Sequence, residues 1–236
     1  MTTFTPPPTY ADPTVPNPLD RNKSQFNPIW LKWFLDIAQY ISNSGTGRLH
    51  STIPITSTAI YQPSQGVNNV VVFAQGPGGN GGTPSPTGAG QICVTGGGGA
   101  GALGYGLYSS GFSGLTVTID NASSSFGGLL VANKGSNGQS SGATGTTPIF
   151  AYGGVGGTST GGQLNGVGPS GDVGIAFSLT QGFGGKGADS WFGGGGVNSN
   201  AAGYGAGGSG VFVPPNTAAP GVFLGTKGFV LIFEYS

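Results

Sequence analysis

The stretch GGGGAGALGYG, residues 96–106, is built almost wholly from glycine and alanine, with a single leucine and a single tyrosine. Further clusters follow or precede it: GPGGNGG (76–82), GGVGG (153–157), GFGG (182–185), GGGG (193–196) and GAGGSG (205–210). They do not keep the strict Gly-X-Y period of collagen. Their recurrence nonetheless points to a physical device. A glycine face lets extended left-handed helices approach closely enough for backbone N–H and C=O groups to pair between them. Stacked polyglycine-type helices of this kind would form a dense core from few apolar side chains.

Composition agrees with a folded chain. Of 236 residues, 51 are glycine and 17 proline, against about 7% and 5% in ordinary proteins. Glycine-rich disordered chains are usually charged and poor in aromatics, whereas this one holds 14 Phe, 8 Tyr and 3 Trp. Only 6% of residues are charged and the formal net charge is zero. That balance excludes nucleic-acid binding by counterion release and a polybasic membrane-surface helix. No apolar run is long enough to insert across a bilayer. A partner must be met by shape, stacking and neutral hydrogen bonds. Cys93 is the single cysteine, so no intrachain disulfide forms.

Three zones follow one another. Residues 1–26 are proline-rich and predict an extended arm. Residues 27–47 contain the one convincing helix, Asn27 to Ser42, with Asn27 as cap, Pro28 in the first turn and Gly45 beyond the end. Trp30, Trp33, Phe34, Ile37 and Ile41 form its apolar stripe, and only Lys32, Asp36 and Gln39 break the surface. A helix so apolar must be covered on most sides, either by packing under the large domain or, the favoured reading, by meeting copies from other chains in oligomerisation and attachment. Residues 48–236 form the glycine-rich zone, in which short strands are expected at Val70–Phe73 (opening the domain), Leu115–Ile119, Leu129–Val131 and Phe229–Tyr235 (closing it).

In order, these elements resemble the glycine-rich domain at the distal end of bacteriophage tail fibres and related adhesins. The matching residues are Pro63-Ser64-Gln65-Gly66-Val67, then Val70 to Phe73, then the cluster 76–82. Gly96 to Gly101 with Tyr105, Leu115 to Ile119, Ser124-Ser125-Phe126-Gly127 and Gly228 to Tyr235 follow in the same order. The likeness spans residues 58–236. It departs at Gly76-Pro77-Gly78 and at Asp120-Asn121-Ala122, where the family pattern has small residues and another glycine cluster. The resemblance implies a mainly β fold with polyglycine-II-like segments at a trimeric fibre tip. It also implies a homotrimer held to tail or collar proteins by the N-terminus and recognising a bacterial surface glycan or outer-membrane protein. The opening MTTFTPPPTYADP has no basic and apolar leader, which fits a virion protein made in the host cytoplasm. Two alternatives remain open: a head fibre or capsid decoration protein, and a self-assembling glycine-rich structural protein.

Catalytic signatures are sparse, and no enzyme activity, cofactor or metal is expected. His50 is the lone histidine and sits without a nearby acid in a presumed hinge, Arg48 to Ser51. Cys93, within Gln91-Ile92-Cys93-Val94, reads as a buried strand thiol. Asp120, Asp172, Asp189 and Glu234 are scattered, unlike paired carboxylates or a cation site. No glycine cluster ends in the Gly-Lys-Ser/Thr of a phosphate loop. Binding is left, and rigid aromatics beside glycines are its candidates: Tyr105, Tyr108, Phe112, Phe183, Trp191, Phe192 and Tyr204.

Overall fold

A computed structural model describes residues 47–144 and 148–236. The proline-rich arm and the helix expected to carry Trp30, Trp33, Phe34, Ile37 and Ile41 lie outside the described residues. Leu49–Tyr235 form one compact unit. Its strands in chain order are β1 (Leu49–Ile55), β2 (Ala59–Tyr61), β3 (Asn69–Gln75), β4 (Gln91–Thr95), β5 (Leu103–Tyr108) and β6 (Leu115–Ile119). There follow β7 (Ser123–Phe126), β8 (Leu130–Asn133), β9 (Ser140–Thr144), β10 (Ile149–Ala151) and β11 (Ser159–Thr160). The last are β12 (Leu164–Asn165), β13 (Gly174–Ala176), β14 (Gly182–Phe183), β15 (Phe212–Val213) and β16 (Phe229–Tyr235). The fold is mainly β, its pairings are antiparallel, and no helix occurs among the described residues.

Two sheets, ordered β1-β16-β3-β5-β12 and β11-β8-β7-β6-β2, face each other as the larger sandwich. Alternation decides which side chains enter its core. In NVVVFAQ, Val70, Val72 and Ala74 point inward, and in FVLIFEY so do Val230 and Ile232. Val117, Phe126, Leu130 and Ala132 meet them from the opposite sheet. The expected strands at 70–73, 115–119 and 229–235 are therefore present. Val70–Phe73 does not open the domain, however, because β1 and β2 precede it. β1 lies at a sheet edge, where Pro54 interrupts no second ladder. His50 stands on that strand, exposed, rather than in a hinge.

A smaller sandwich joins β15-β4-β9 to β10-β13-β14 over Ile92, Val94, Ala151 and Ala176. Glycine runs shuttle between the two sandwiches. The run 76–82 links β3 to β4, 96–102 links β4 to β5, and 134–139 links β8 to β9. The runs 152–158, 166–173, 184–188 and 205–211 make the remaining crossings near the centre.

Residues 96–102 are the axis of this bundle. Gly96, Gly99 and Ala102 donate their amides to Gln139, Ser136 and Asn133. Gly97 and Ala100 donate to Asp172 and Pro169, and Gly98 and Gly101 to Gly208 and Gly205. The axial carbonyls accept in the same rhythm: Gly96, Gly99 and Ala102 from Gly82, Gly79 and Gly76, Gly97 and Ala100 from Gly154 and Gly157, and Gly98 from Ala188. Gly101 O is met instead by Nε2 of Gln75, at 3.0 Å. Each partner thus recurs every third residue, and the axis is enclosed by six neighbouring runs that also bond to one another. Its amides find partners at 2.8–3.0 Å, a complete satisfaction of buried backbone without a sheet.

Such proximity leaves no room for a side chain at the axial glycines, and the axis carries nothing larger than the methyls of Ala100 and Ala102. A Cβ on Gly97 would lie 2.0 Å from the carbonyl oxygen of Lys186, and one on Gly98 would lie 2.2 Å from that of Gly79. The surrounding runs follow the same three-residue rule from outside. In Gly153-Gly154-Val155-Gly156-Gly157 the glycines face neighbouring backbone, whereas Val155 and Tyr152, three residues apart, are 64% and 65% exposed.

One charge is buried in the larger sandwich. Glu234 is 0% exposed and accepts hydrogen bonds from Ser51 Oγ at 2.6 Å, Tyr61 Oη at 2.6 Å and the Ser64 amide at 3.1 Å. Burial by itself raises its pKa, but the bonds from Ser51, Tyr61 and Ser64 outweigh that and hold the carboxyl at about 2. The same contact works on its partner. Burial, then the bond to Glu234, raises the Tyr61 phenol above its ordinary value. Glu234 thereby ties β16 to β1 and to the segment following β2.

Two outcomes are expected. Gly98→Ala should cost more than about 4 kcal/mol or abolish folding, whereas Gly128→Ala, where a Cβ meets nothing within 4 Å, should shift stability by no more than about 1 kcal/mol. Chemical denaturation of the two variants checks this. Because the folded pKa of Glu234 is depressed from 4.5 to about 2, its contribution is full above pH 4.5 and is lost as pH falls toward 2. Wild type should lose on the order of 3 kcal/mol across that window beyond what Glu234→Gln loses, measured by denaturation at stepped pH.

Candidate functional site

The axial run and β5 together position one wall of a cleft of about 400 Å³. Phe73, Leu103 and Tyr105 form this wall, Leu164 and Val167 a second, and Trp191 stands at the rim. Tyr105 and Phe73 are cross-strand partners on β5 and β3, with ring centroids 5.2 Å apart at 61°. They project from the face opposite Val72 and Ala74, so the alternation that fills the core also furnishes the cleft.

Trp191 is 80% exposed, yet the backbone beneath it is tied down. The Ser190 amide donates to Gly193 O at 2.9 Å, and Tyr204 N donates to Phe192 O at 3.0 Å. Ser190 Oγ donates to Tyr204 O and accepts from Phe192 N. Phe192 and Tyr204 pack on Phe229, each at 4.8 Å between centroids. At the foot of the loop Asp189 accepts from Lys186 Nζ at 2.6 Å and from Gly195 N at 2.7 Å. The Lys186 bond, then the Gly195 amide, lowers the Asp189 pKa. A large ring on a fixed base offers contact area at little entropic cost.

The chemistry of the cleft follows from what its backbone has already spent. Gly166 N donates to Leu103 O, Gly166 O accepts from Ser159 N, Gly168 N donates to Gly157 O and Pro169 O accepts from Ala100 N. Among the described residues no carboxylate or ammonium lines it. The Tyr105 hydroxyl has no hydrogen-bond partner among the described residues and is the polar side-chain group left for an occupant. The cleft therefore favours an uncharged, apolar, ring-sized group accompanied by at most one or two hydrogen bonds.

The other aromatic candidates divide. Phe192 and Tyr204, 39% and 37% exposed, support the Trp191 loop. Phe183, 51% exposed, lies on the smaller sandwich beside Phe177 at 5.7 Å and does not join the cleft. Phe112 is 7% exposed and belongs to the main core. Tyr108 stacks on Phe126 at 5.8 Å and donates to Leu129 O at 3.0 Å, and burial raises its phenol pKa. Phe112 and Tyr108 are thus packing residues, their neighbouring glycines notwithstanding. Sequence reasoning missed Leu164 and Val167, which no aromatic or charged signal marks.

Elsewhere, Cys93 is buried on β4, 3.5 Å from Ser140 Oγ. Among the described residues no three His, Cys, Asp or Glu side chains gather as a metal site, and no helix is long and apolar enough to cross a membrane. No protein family matches the sequence, and no curated protein is detectably similar to it.

Proposed function

We propose that this chain is a non-enzymatic structural protein of a bacteriophage virion, a tail-fibre subunit that adheres to the host cell surface through its glycine-rich domain. The observation that carries the reading is Trp191, presented on a pinned loop over an apolar cleft at the edge of a rigid bundle. Adhesins need such an arrangement: a stiff frame outside the cell and an exposed ring ready to be buried. The three-residue rhythm of hydrogen bonds supports reading the glycine runs as polyglycine-II-type helices, left-handed with three residues per turn. That architecture, in the order resembling tail-fibre tips, favours a fibre over a silk-like self-assembling protein, which would repeat a single unit.

In this reading the proline-rich N-terminal segment and the apolar segment of residues 27–47 hold the chain to the particle and to two further copies. Several weak contacts per particle then act together, so each cleft needs only modest affinity. The head-fibre or decoration alternative shares this architecture and differs in stabilising the particle or adhering only weakly.

Binding of fluorescently labelled full-length protein to a panel of intact bacterial strains tests the proposal. Trp191→Ala should leave stability within about 0.5 kcal/mol, as befits an exposed side chain. It should weaken cell binding by about tenfold or more, whereas Ile60→Ala, exposed on β2 away from the cleft, should leave binding unchanged. Wild-type protein that binds no strain, while still assembling into particles, would identify a decoration subunit instead.

A further inference from the structure

A second cavity, of about 370 Å³, opens where the runs 76–82 and 134–139 meet the segment leading into β16. Its polar lining is Asn80, Asn121, Lys134, Thr226 and Lys227. Charge is scarce in this chain, so its placement is informative. The described lysines are Lys134, Lys186 and Lys227. Lys186 is neutralised by Asp189 at 2.6 Å. The other two, 93 positions apart in sequence, have no ion pair among the described residues and line the same cavity.

Among the described residues no carboxylate lines it. Asp120 is the nearest acid in sequence, and its Oδ1 accepts from the amides of Ala122 and Ser123, each at 2.7 Å, forming the turn that carries Asn121. Asp172 and Asp189 belong to runs on other sides of the bundle, and Glu234 is enclosed in the larger sandwich.

Hydrogen-bonding capacity is equally one-sided. The carbonyls of Pro77, Asn80, Leu224, Thr226 and Lys227 already receive the amides of Gly135, Gly138, Ala201, Gly78 and Gly205. Thr226 Oγ1 is engaged with Ala206. Asn80 Oδ1 accepts from Gly225 N at 3.0 Å, which orients the carboxamide and leaves its NH₂ as a donor. Two ammonium groups and the amides of Asn80 and Asn121 therefore remain, against acceptors that are mostly occupied. A cation or a neutral acceptor-poor molecule gains nothing there, whereas an oxyanion meets both the charge and the donors.

We propose that this cavity binds a phosphate group carried on a small polar molecule of sugar size. A phosphate, near two negative charges at neutral pH, matches both lysines, whereas a carboxylate leaves one unmatched. The volume exceeds what a bare phosphate fills. This site is separate from the Trp191 cleft and does not depend on the adhesin reading.

The test is nuclear magnetic resonance of the isotope-labelled full-length protein, titrated at constant ionic strength with glucose 6-phosphate, inorganic phosphate or glucuronate, and separately with sodium chloride. Saturable shifts are expected for Gly78, Gly225 and the Asn80 side chain with glucose 6-phosphate, with weaker saturable shifts from inorganic phosphate. Added salt at about 0.2 M should weaken binding several-fold. The Lys134→Gln/Lys227→Gln double variant should weaken it at least tenfold. Its glycine amides in the axial run should keep their positions, showing an intact fold. Equal shifts from chloride, saturation by glucuronate alone, or undiminished binding by the double variant would overturn the proposal.

Discussion

Everything in this domain depends on backbone amides and carbonyls meeting at 2.8–3.0 Å across the axial run 96–102. At that spacing a Cβ on most of its residues would sit within about two ångströms of a neighbouring carbonyl. The interior here is therefore made of peptide groups, and its cohesion comes from satisfied polar backbone in place of apolar area. Ordering so many glycines is costly, because glycine loses more conformational freedom than any other residue. The bundle offsets that cost only as a set, each run supplying partners for its neighbours. The two sandwiches at its ends add what the runs lack, namely apolar cores around Val72, Phe126 and Ile232 and around Ile92 and Val94.

Much of this was legible from residue order alone. Alternating VVVF and FVLIFEY announce strands, and the recurring glycine clusters announce close backbone packing. What escaped notice was the coding within the clusters. With three residues per turn, each residue faces one of three directions, so glycine is required only where a neighbour lies. The axis, surrounded, reads GGGGAGA. The runs 76–82 and 153–157 are open on one side, where Asn80 is half-buried and Val155 exposed, and 76–82 also holds the buried Pro77. The run 134–139 touches fewer neighbours through its glycines and needs only Gly135 and Gly138. Such a run hides among ordinary polar loops, as do the two-residue strands β11, β12, β14 and β15, whose pairing is imposed by the bundle rather than by propensity.

The candidate site was half legible for a related reason. An aromatic beside a glycine can be a ring filling space above a flat backbone, as Phe112 and Tyr108 do, or a ring held out to solvent. Local sequence does not separate these cases. Trp191 is set apart by distant residues: Phe229 beneath its loop, and β5 and β12 opposite. Leu164 and Val167 acquire their role only because the antiparallel pairing of β12 with β5 carries them to Tyr105.

The same economy of backbone groups explains how one frame carries two cavities of opposite character. In a bundle where amides and carbonyls satisfy one another, a cavity wall is polar only where a side chain makes it so. Beside Trp191 the outward positions are Leu, Val and Tyr, and the cleft is apolar. Beside run 76–82 they are Asn and Lys, and the cavity is rich in donors. Outward positions are also the ones at which substitution meets no carbonyl. Side-chain chemistry can thus change there without disturbing the axis, and where charge is so rare two lysines suffice to give one cavity its character.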